Sequence, residues 1–471
     1  MNKSMQFAQR LLPLVAALVI AGCATPLPPV EDRLLPATPA AFKETDGRWA
    51  QARPADAQPR GEWWKSFGDA ELDRWVAQAA EQNTSIQQAA ARLQQARALA
   101  RQTDSARSPQ VGAQAGVSRQ AGLTNNGPAN TVASVGLNLQ YEVDLFGRLS
   151  RASQAAELDA QSRAALLQSA RLLVQAETAQ TYLALRTLDE ERALVRDTVA
   201  AYRDTLRLTE ARQQAGDIAE LDVVRVRAEV AATEAEALAL DQRRATLEHA
   251  LAVLVGEPAS TFSLPPQGWT AALPVVPPGV PSTVLQRRPD VAAAQRSMLA
   301  AQARVGVAQA AWFPSVSLTG SAGQASSDLG DLFKWSMRSW GVGALLSMPL
   351  FDGGRRQAGI DSARAELDGA LAGYREQVLV AFRDVEDQLA ALRLLADQAE
   401  AQARAVASAS RATALSGTRW RNGYISQLDL LDAQRTELRN RRQALQVRAA
   451  QYQATVGLVR ALGGSWEGAG A

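Results

Sequence analysis

Residues 132–148 read VASVGLNLQYEVDLFGR, and from Ala133 to Leu145 every odd position is apolar: Ala133, Val135, Leu137, Leu139, Tyr141, Val143 and Leu145. The even positions between them, Ser134, Gly136, Asn138, Gln140, Glu142 and Asp144, are small or polar. Strand side chains alternate between two faces, so this unbroken period of two marks a strand with one apolar and one polar face. At Phe146-Gly147-Arg148 the period becomes helical, with neither Gly nor Pro until Gly216. A two-faced strand that feeds a helix of about 67 residues, roughly 100 Å at 1.5 Å each, is an unusual joint.

The joint occurs twice. Shifted by 205 residues, Pro109 falls on Pro314, Val111 on Val316 and Val117 on Ala322. Leu137, Tyr141, Leu145 and Phe146 fall on Val342, Leu346, Leu350 and Phe351. Two residues are inserted within Asp352-Gly353-Gly354-Arg355, and the offset becomes 207. Arg148 then matches Arg355, Leu185-Arg186 matches Leu392-Arg393, Gly216 matches Gly423, Leu221-Asp222 matches Leu428-Asp429 and Gly256 matches Gly463. A register kept through one insertion indicates an internal duplication.

Read in order, the chain opens with a targeting segment, residues 1–22: Lys3 and Arg10, the apolar run Leu11 to Ala21, then Cys23 among small residues. That run is too short to span a bilayer as a helix. Residues 23–68 form a proline-rich arm that tethers the protein or lies on it. The first repeat, 69–256, is expected as one helix from Asp69 to Arg107, a strand at Val111–Val117, the opening strand, the long helix to about Gln214, and a second helix from about Ile218 to Val255. The turn chemistry of Asn125-Asn126-Gly127-Pro128 separates the two strands. Residues 257–283 link this unit to the second repeat, 284–463, and 464–471 form a C-terminal tail.

Of 50 basic and 48 acidic residues, Lys3 and Arg10 leave with the targeting segment, so the mature chain is formally neutral at 48 against 48. That balance offers no argument for nucleic acid. Cys23 is the only cysteine, which excludes intrachain disulfides. His249, the only histidine, lies mid-helix as an ordinary surface or contact residue. No nucleophile with its base, pair of catalytic carboxylates or phosphate-cradling loop is visible, and no enzyme activity is expected.

Four strands make too small a sheet to bury its own apolar face, but each offers the 9–11 residues that cross a bilayer. Unpaired edges are not tolerated in lipid, so the sheet must close, and closure requires further copies of the chain. Lipid would then meet Val135, Leu137, Leu139, Tyr141 and Val143, and in the repeat Val342, Ala344, Leu346 and Met348. The lumen would meet Asn138, Gln140, Glu142 and Asp144. Tyr141, Phe146, Trp312, Phe313, Trp335, Trp340 and Phe351 suit an interfacial aromatic belt. The helices carry Ala at many contact positions. Leu431, Leu438, Leu445, Tyr452 and Val459 recur every seven residues, as in coiled-coil packing; Gly369 and Gly373 either permit close helix approach or are an incidental pair.

These features together resemble the outer membrane factor family, TolC-like channels, and within it the lipoprotein subgroup of OprM and NodT type. The resemblance rests on Ile20-Ala21-Gly22-Cys23, Trp63-Trp64-x-x-Phe67, and Tyr141 through Arg148. The second half adds Arg287-Arg288-Pro289-Asp290-Val291, Pro349 through Arg355, and Leu428-Asp429-Leu430-Leu431-Asp432-Ala433-Gln434. It implies an α+β membrane protein: a homotrimer whose twelve-stranded barrel, four strands per chain, continues as a long α-helical periplasmic barrel. It implies diacylglycerol and an N-acyl chain on Cys23, outer-membrane sorting, and no other cofactor or metal. It implies a periplasmic adaptor docked at the helix reversals, Gly216, Asp217, Ile218 and Asp222 and then Gly423, Tyr424, Ile425 and Asp429, with an inner-membrane RND pump behind it. Small molecules such as drugs would be exported; the alternative is the channel of a type I protein secretion system. Arg419, Trp420 and Arg421 stand where TolC narrows its entrance with aspartates, so an acidic, cation-binding ring is not carried over.

Overall fold

The computed structural model describes residues 39, 41–44, 61–120, 129–269, 271–274 and 287–464. The targeting segment, Cys23, the Asn125–Pro128 turn, part of the linker and the tail from residue 465 lie outside the described residues.

In chain order the elements are α1 (Ala70–Gln82), α2 (Thr84–Ser105), β1 (Gln110–Gln120), β2 (Asn130–Val143), α3 (Arg148–Gln214) and α4 (Glu220–Leu254). The second half supplies α5 (Pro289–Ala310), β3 (Ser315–Ser326), β4 (Arg338–Ser347), α6 (Arg355–Arg421) and α7 (Gln427–Ala461). Corresponding helices have equal lengths: 22 residues in α2 and α5, 67 in α3 and α6, 35 in α4 and α7.

The single helix expected over Asp69–Arg107 is two helices. Asn83 between them is extended (φ −64°, ψ 127°). Its side-chain oxygen accepts from the N–H groups of Ser85 (2.9 Å) and Ile86 (3.4 Å), while its amide donates to the Leu254 carbonyl (2.9 Å). Asn favours such caps because its short side chain competes with the helical backbone for hydrogen bonds. A helical window rich in Ala hides a one-residue interruption of this kind.

The described residues fall into two compact units, each drawing on both halves of the chain. One comprises Ala91–Ala165 and Ala293–Glu376 and contains the sheet, with strand order β1-β2-β3-β4, antiparallel throughout. Its helix segments are pinned by polar contacts: the Ser162 hydroxyl donates to the Ala293 carbonyl (3.0 Å), and Arg151 donates to the Gly306 carbonyl (3.1 Å).

The other unit holds the remaining helices around an aromatic core. Trp63, Trp64 and Phe67 are buried in a short 3-10 turn. Tyr452 packs on Phe67 and Trp269 and donates to the Ala271 carbonyl (2.7 Å). Asp69 caps α1 and also accepts from Tyr182 (2.8 Å) and Trp269 (2.6 Å). The arm lies on α6 where it is described: the Lys43 and Glu44 amides donate to Glu386 (2.7 and 3.0 Å). The sevenfold stripe on α7 packs as expected, with Leu431, Tyr452 and Val459 almost fully buried and Leu438 against Leu188, Val195 and Leu240. A Cβ at Gly369 or Gly373 would meet nothing within 4 Å, so neither mediates close approach within one chain.

Candidate functional site

Cross-strand partners lie on the same face of a sheet, so the register sorts the side chains. Val111 pairs with Leu139, Ala113 with Leu137 and Ala115 with Val135. Continuing outward, Tyr141 pairs with Leu318, Val143 with Val316, Leu318 with Ala344, Gly320 with Val342 and Val316 with Leu346. One face is therefore apolar across all four strands. It gathers Val135, Leu137, Leu139, Tyr141, Val143, Val342 and Leu346; Met348 lies just past β4.

The opposite face is small and polar. Asn138 faces Gly112 and Ser321, Gln140 faces Gln110 and Thr319, and Glu142 faces Ser317. Its glycines make room for neighbours: a Cβ at Gly112 would lie 2.8 Å from the Asn138 side chain, and one at Gly343 would lie 2.9 Å from Thr319. Gly136 and Gly323 pair directly, and a Cβ on Gly323 would lie 2.4 Å from the Val135 carbonyl oxygen. Leu345, and Val132 opposite Ser118, are the larger apolar exceptions on this face.

At the first joint Arg148 clasps Glu142 through both carboxylate oxygens (2.7 Å each), tying the start of α3 back to β2. Asp144 lies one residue past the strand, and its carboxylate accepts from the N–H groups of Leu149 (2.9 Å) and Ser150 (2.7 Å). It thus satisfies orphan donors of the first helical turn. Burial raises the Asp144 pKa, but these hydrogen bonds and Arg148 outweigh it and hold the carboxyl below its ordinary value. Phe146 stacks on Phe313 at 4.8 Å. The second joint is built alike: Asp352 accepts from the amides of Gly354 (3.1 Å) and Arg356 (3.2 Å) and from the Arg356 guanidinium (2.6 Å), which lies over Trp312.

Both helix reversals use a glycine in the left-handed region, Gly216 at φ +83° and Gly423 at +75°. The Gly216 N–H donates to the Gln213 carbonyl and Asp217 N–H to Arg212; Gly423 donates to Trp420 and Tyr424 to Arg419. This pair of bonds satisfies terminal carbonyls and stops each helix sharply. Asp217 and Tyr424 are exposed, Ile218, Asp222 and Ile425 half-buried. Leu221, Tyr424 and Leu428 expose apolar surface at 56%, 73% and 47%.

The two returns start differently. Asp429 forms a reciprocal box with Ser426, its N–H donating to the Ser426 hydroxyl (3.2 Å) and its carboxylate accepting the Ser426 N–H (3.0 Å). The hydroxyl of Ser426 donates to the same carboxylate, and the Asp429 carboxyl is held below its ordinary value for that reason first. At the other reversal Ala219 supplies no side-chain cap. Pattern reading missed one contact here: Arg212 lies over the Trp420 ring at 4.7 Å, linking the ends of α3 and α6. Nothing in local spacing announces a pair so distant in the chain.

Among the described residues no helix is long and apolar enough to cross a membrane, and no group of three His, Cys, Asp or Glu side chains is placed to hold a metal ion. His249 is exposed. A sheet with one lipid-compatible face, joined through capped junctions to long paired helices, defines a channel-type membrane protein. The family of outer membrane efflux proteins matches residues 75–257 and again 280–464, and the chain belongs to that family. It is 34% identical to the outer membrane protein OprJ of Pseudomonas aeruginosa, over 96% of this chain and 95% of OprJ. The cation efflux system protein CusC of Escherichia coli is 30% identical, over 97% of this chain and 99% of CusC. The open state of the Neisseria gonorrhoeae MtrE outer membrane channel superposes with a TM-score of 0.82 at 29% identity, covering 94% of this chain and 98% of that one.

Proposed function

We propose that three copies of this chain form the outer membrane channel of a tripartite efflux system that exports small molecules. The observation that carries the reading is the strand register. It leaves a continuous apolar face and two open edges, β1 and β4, on a sheet too small to close alone. Twelve strands from three chains close it, a size within the range of known barrels. Val135, Leu137, Leu139, Tyr141, Val143, Val342, Leu346 and Met348 then meet lipid. Asn138, Gln140 and Glu142 line the passage, and Asp144 caps the helix at its inner mouth.

The reversals carry the adaptor-docking role: Gly216, Asp217, Ile218 and Asp222, with Gly423, Tyr424, Ile425 and Asp429. Exposed Leu221, Tyr424 and Leu428 beside them supply apolar contact area, and an inner-membrane RND pump supplies the energy. Asp429 is already engaged in its capping box, so it shapes the tip rather than offering a free charge. Cys23 carries the acyl anchor. The relatives are efflux proteins, so small-molecule export is favoured over protein secretion.

The test is purification of the complex from the envelope. The expected result is a heat-modifiable trimer bound to an adaptor and an RND transporter; an ABC exporter in their place would move the assignment to secretion. Leu139→Arg should block barrel assembly, at a cost of roughly 2–4 kcal/mol for a basic residue at mid-bilayer, whereas Leu346→Arg, one residue from the inner end of β4, should cost only about 0–1 kcal/mol. Normal insertion of the Leu139→Arg variant would reverse the facing. Cys23→Ser should abolish labelling by a radioactive fatty acid.

A further inference from the structure

The four strands carry three charged side chains: Arg119 in β1, Glu142 in β2 and Arg338 in β4. Their placement is not symmetrical. Glu142 lies on the polar face at the helix end and is clasped by Arg148. Both arginines lie on the apolar face at the opposite, loop end: Arg119 pairs with Thr131, and Arg338 with Gln324, whose neighbours on that face are Ala322 and Val135. Among the described residues neither has a carboxylate partner. Two unpaired guanidinium groups on the face that meets lipid are costly at mid-bilayer and favourable only at the headgroup level.

The height of Arg338 fits that level. From Arg338 to Ser347 the strand takes nine steps of about 3.3 Å, which at the usual barrel tilt of about 40° span about 23 Å, close to the height of an outer-membrane apolar band. Around Arg338 the surface is also shaped. Its guanidinium lies 3.9 Å from the centroid of the Trp335 ring. The two side chains bound a groove of about 540 Å³ whose floor includes Ala113, Ala115, Val135 and Leu137. Phe333, Trp335 and Trp340 are each 77% exposed at this end. An apolar floor, an aromatic wall and a cation without a carboxylate partner at the rim match a lipid with an acyl chain below and an anionic headgroup above.

We propose that this groove binds the phosphorylated glycolipid of the outer leaflet, an acyl chain lying along Val135 and Leu137 and a headgroup phosphate on Arg338. The assignment rests on the channel reading, which places the loop end outside the cell. Guanidinium is suited to the task because its planar fork matches phosphate oxygens, and stacking on Trp335 holds the fork in place.

The experiment uses the trimer purified from the envelope, stripped of native lipid in detergent and titrated with diphosphorylated lipid A while bound lipid is counted by native mass spectrometry. Wild type should bind lipid A at least tenfold more tightly than does the Arg338→Gln variant. Removing the phosphates from the glycolipid should weaken binding to wild type by a similar factor, a comparison that needs no variant to fold. Trp335→Ala should fall between. Binding within twofold for the Arg338→Gln variant, or for the dephosphorylated lipid, would overturn the proposal. So would phosphatidylglycerol binding as tightly as lipid A, which would make the site a general anion rim. Failure of wild type to fractionate as an outer-membrane trimer, scored before any lipid is added, would instead remove the channel reading.

Discussion

The two halves of the chain do the same structural work with different side chains. Asn83 in the first half donates to the carbonyl of Leu254 near the end of α4; Arg288 in the second donates to the carbonyl of Ala461 near the end of α7. These four residues correspond under the duplication. Gly256 is packed so that a Cβ would lie 2.9 Å from the Gln82 carbonyl oxygen, and its counterpart Gly463 presses equally on Arg287. Backbone contacts have been kept while side chains diverged. The charges show it best. The first half gathers Arg186, Arg192 and Arg244 around buried Asp189. The position 207 residues on is Ala396, which is exposed. The second half instead holds Arg288 between Asp290 and Asp384. Each half therefore carries its own buried ionic lock.

The sharpest way to break that comparison is Asp189→Ala, which strands guanidinium groups in a site where the carboxylate is only 2% exposed. Loss of one partner from a buried ionic network costs about 3–5 kcal/mol, and the trimer's thermal unfolding should show it. Ala396→Asp on the other half should change stability by less than about 0.5 kcal/mol. Equal effects would mean that the locks are not specific to their halves.

Glycine substitutions come next. Gly463→Ala combines a left-handed φ of +88° with the contact against Arg287, and should cost about 1–3 kcal/mol of strain plus the clash. Gly423→Ala has the same kind of φ with nothing within 4 Å, and should cost about 1–2 kcal/mol. Unfolding of the two variants in denaturant would rank them. A smaller asymmetry concerns the reversals: Ser426→Ala should lose about 1 kcal/mol of cap, whereas Ala219→Ser should gain up to a similar amount. Amide exchange in the first turns of α7 and α4 reads both.

The smallest effect is a response to acid. The Asp429 carboxyl is held below its ordinary 3.8 by the Ser426 hydroxyl and N–H, so its cap is fully present above that pH and is lost as pH falls below it. Exchange at residues 427–431, corrected for intrinsic rates, should rise below about pH 4. Residues 220–224, where Ala219 supplies no cap, should lack that step.

Strands, long helices, both reversal glycines and the two-faced sheet were legible because each is a periodic or local signal. Alternation over Ala133–Leu145 needs no knowledge of neighbours, and a glycine that ends a helix speaks through its own φ. The break at Asn83 was not legible in the helical period, because a one-residue cap leaves the flanking Ala-rich pattern intact and the carbonyl that fixes its amide is 171 residues away. Arg212 on Trp420 and the Asp189 cluster were hidden likewise, since contacts between distant segments leave no period. Asp144 was grouped with the polar face by alternation alone. The strand ends at Val143, and the carboxylate then serves the helix rather than the sheet.

The pairing of β2 with β3 has a consequence for how the protein is made. β1 with β2, and β3 with β4, are neighbours in the chain and can meet as soon as they are synthesised. The partners across the central seam are 173 to 193 residues apart. Pairings of such long range form slowly, because the loop entropy must be surrendered before any contact repays it. The Gly136–Gly323 contact, which tolerates no side chain, lies within that seam. The first hairpin must therefore cross the cell envelope with one edge waiting for a partner not yet delivered. A chaperone that shields this edge would protect the chain during the interval when it is most prone to aggregate.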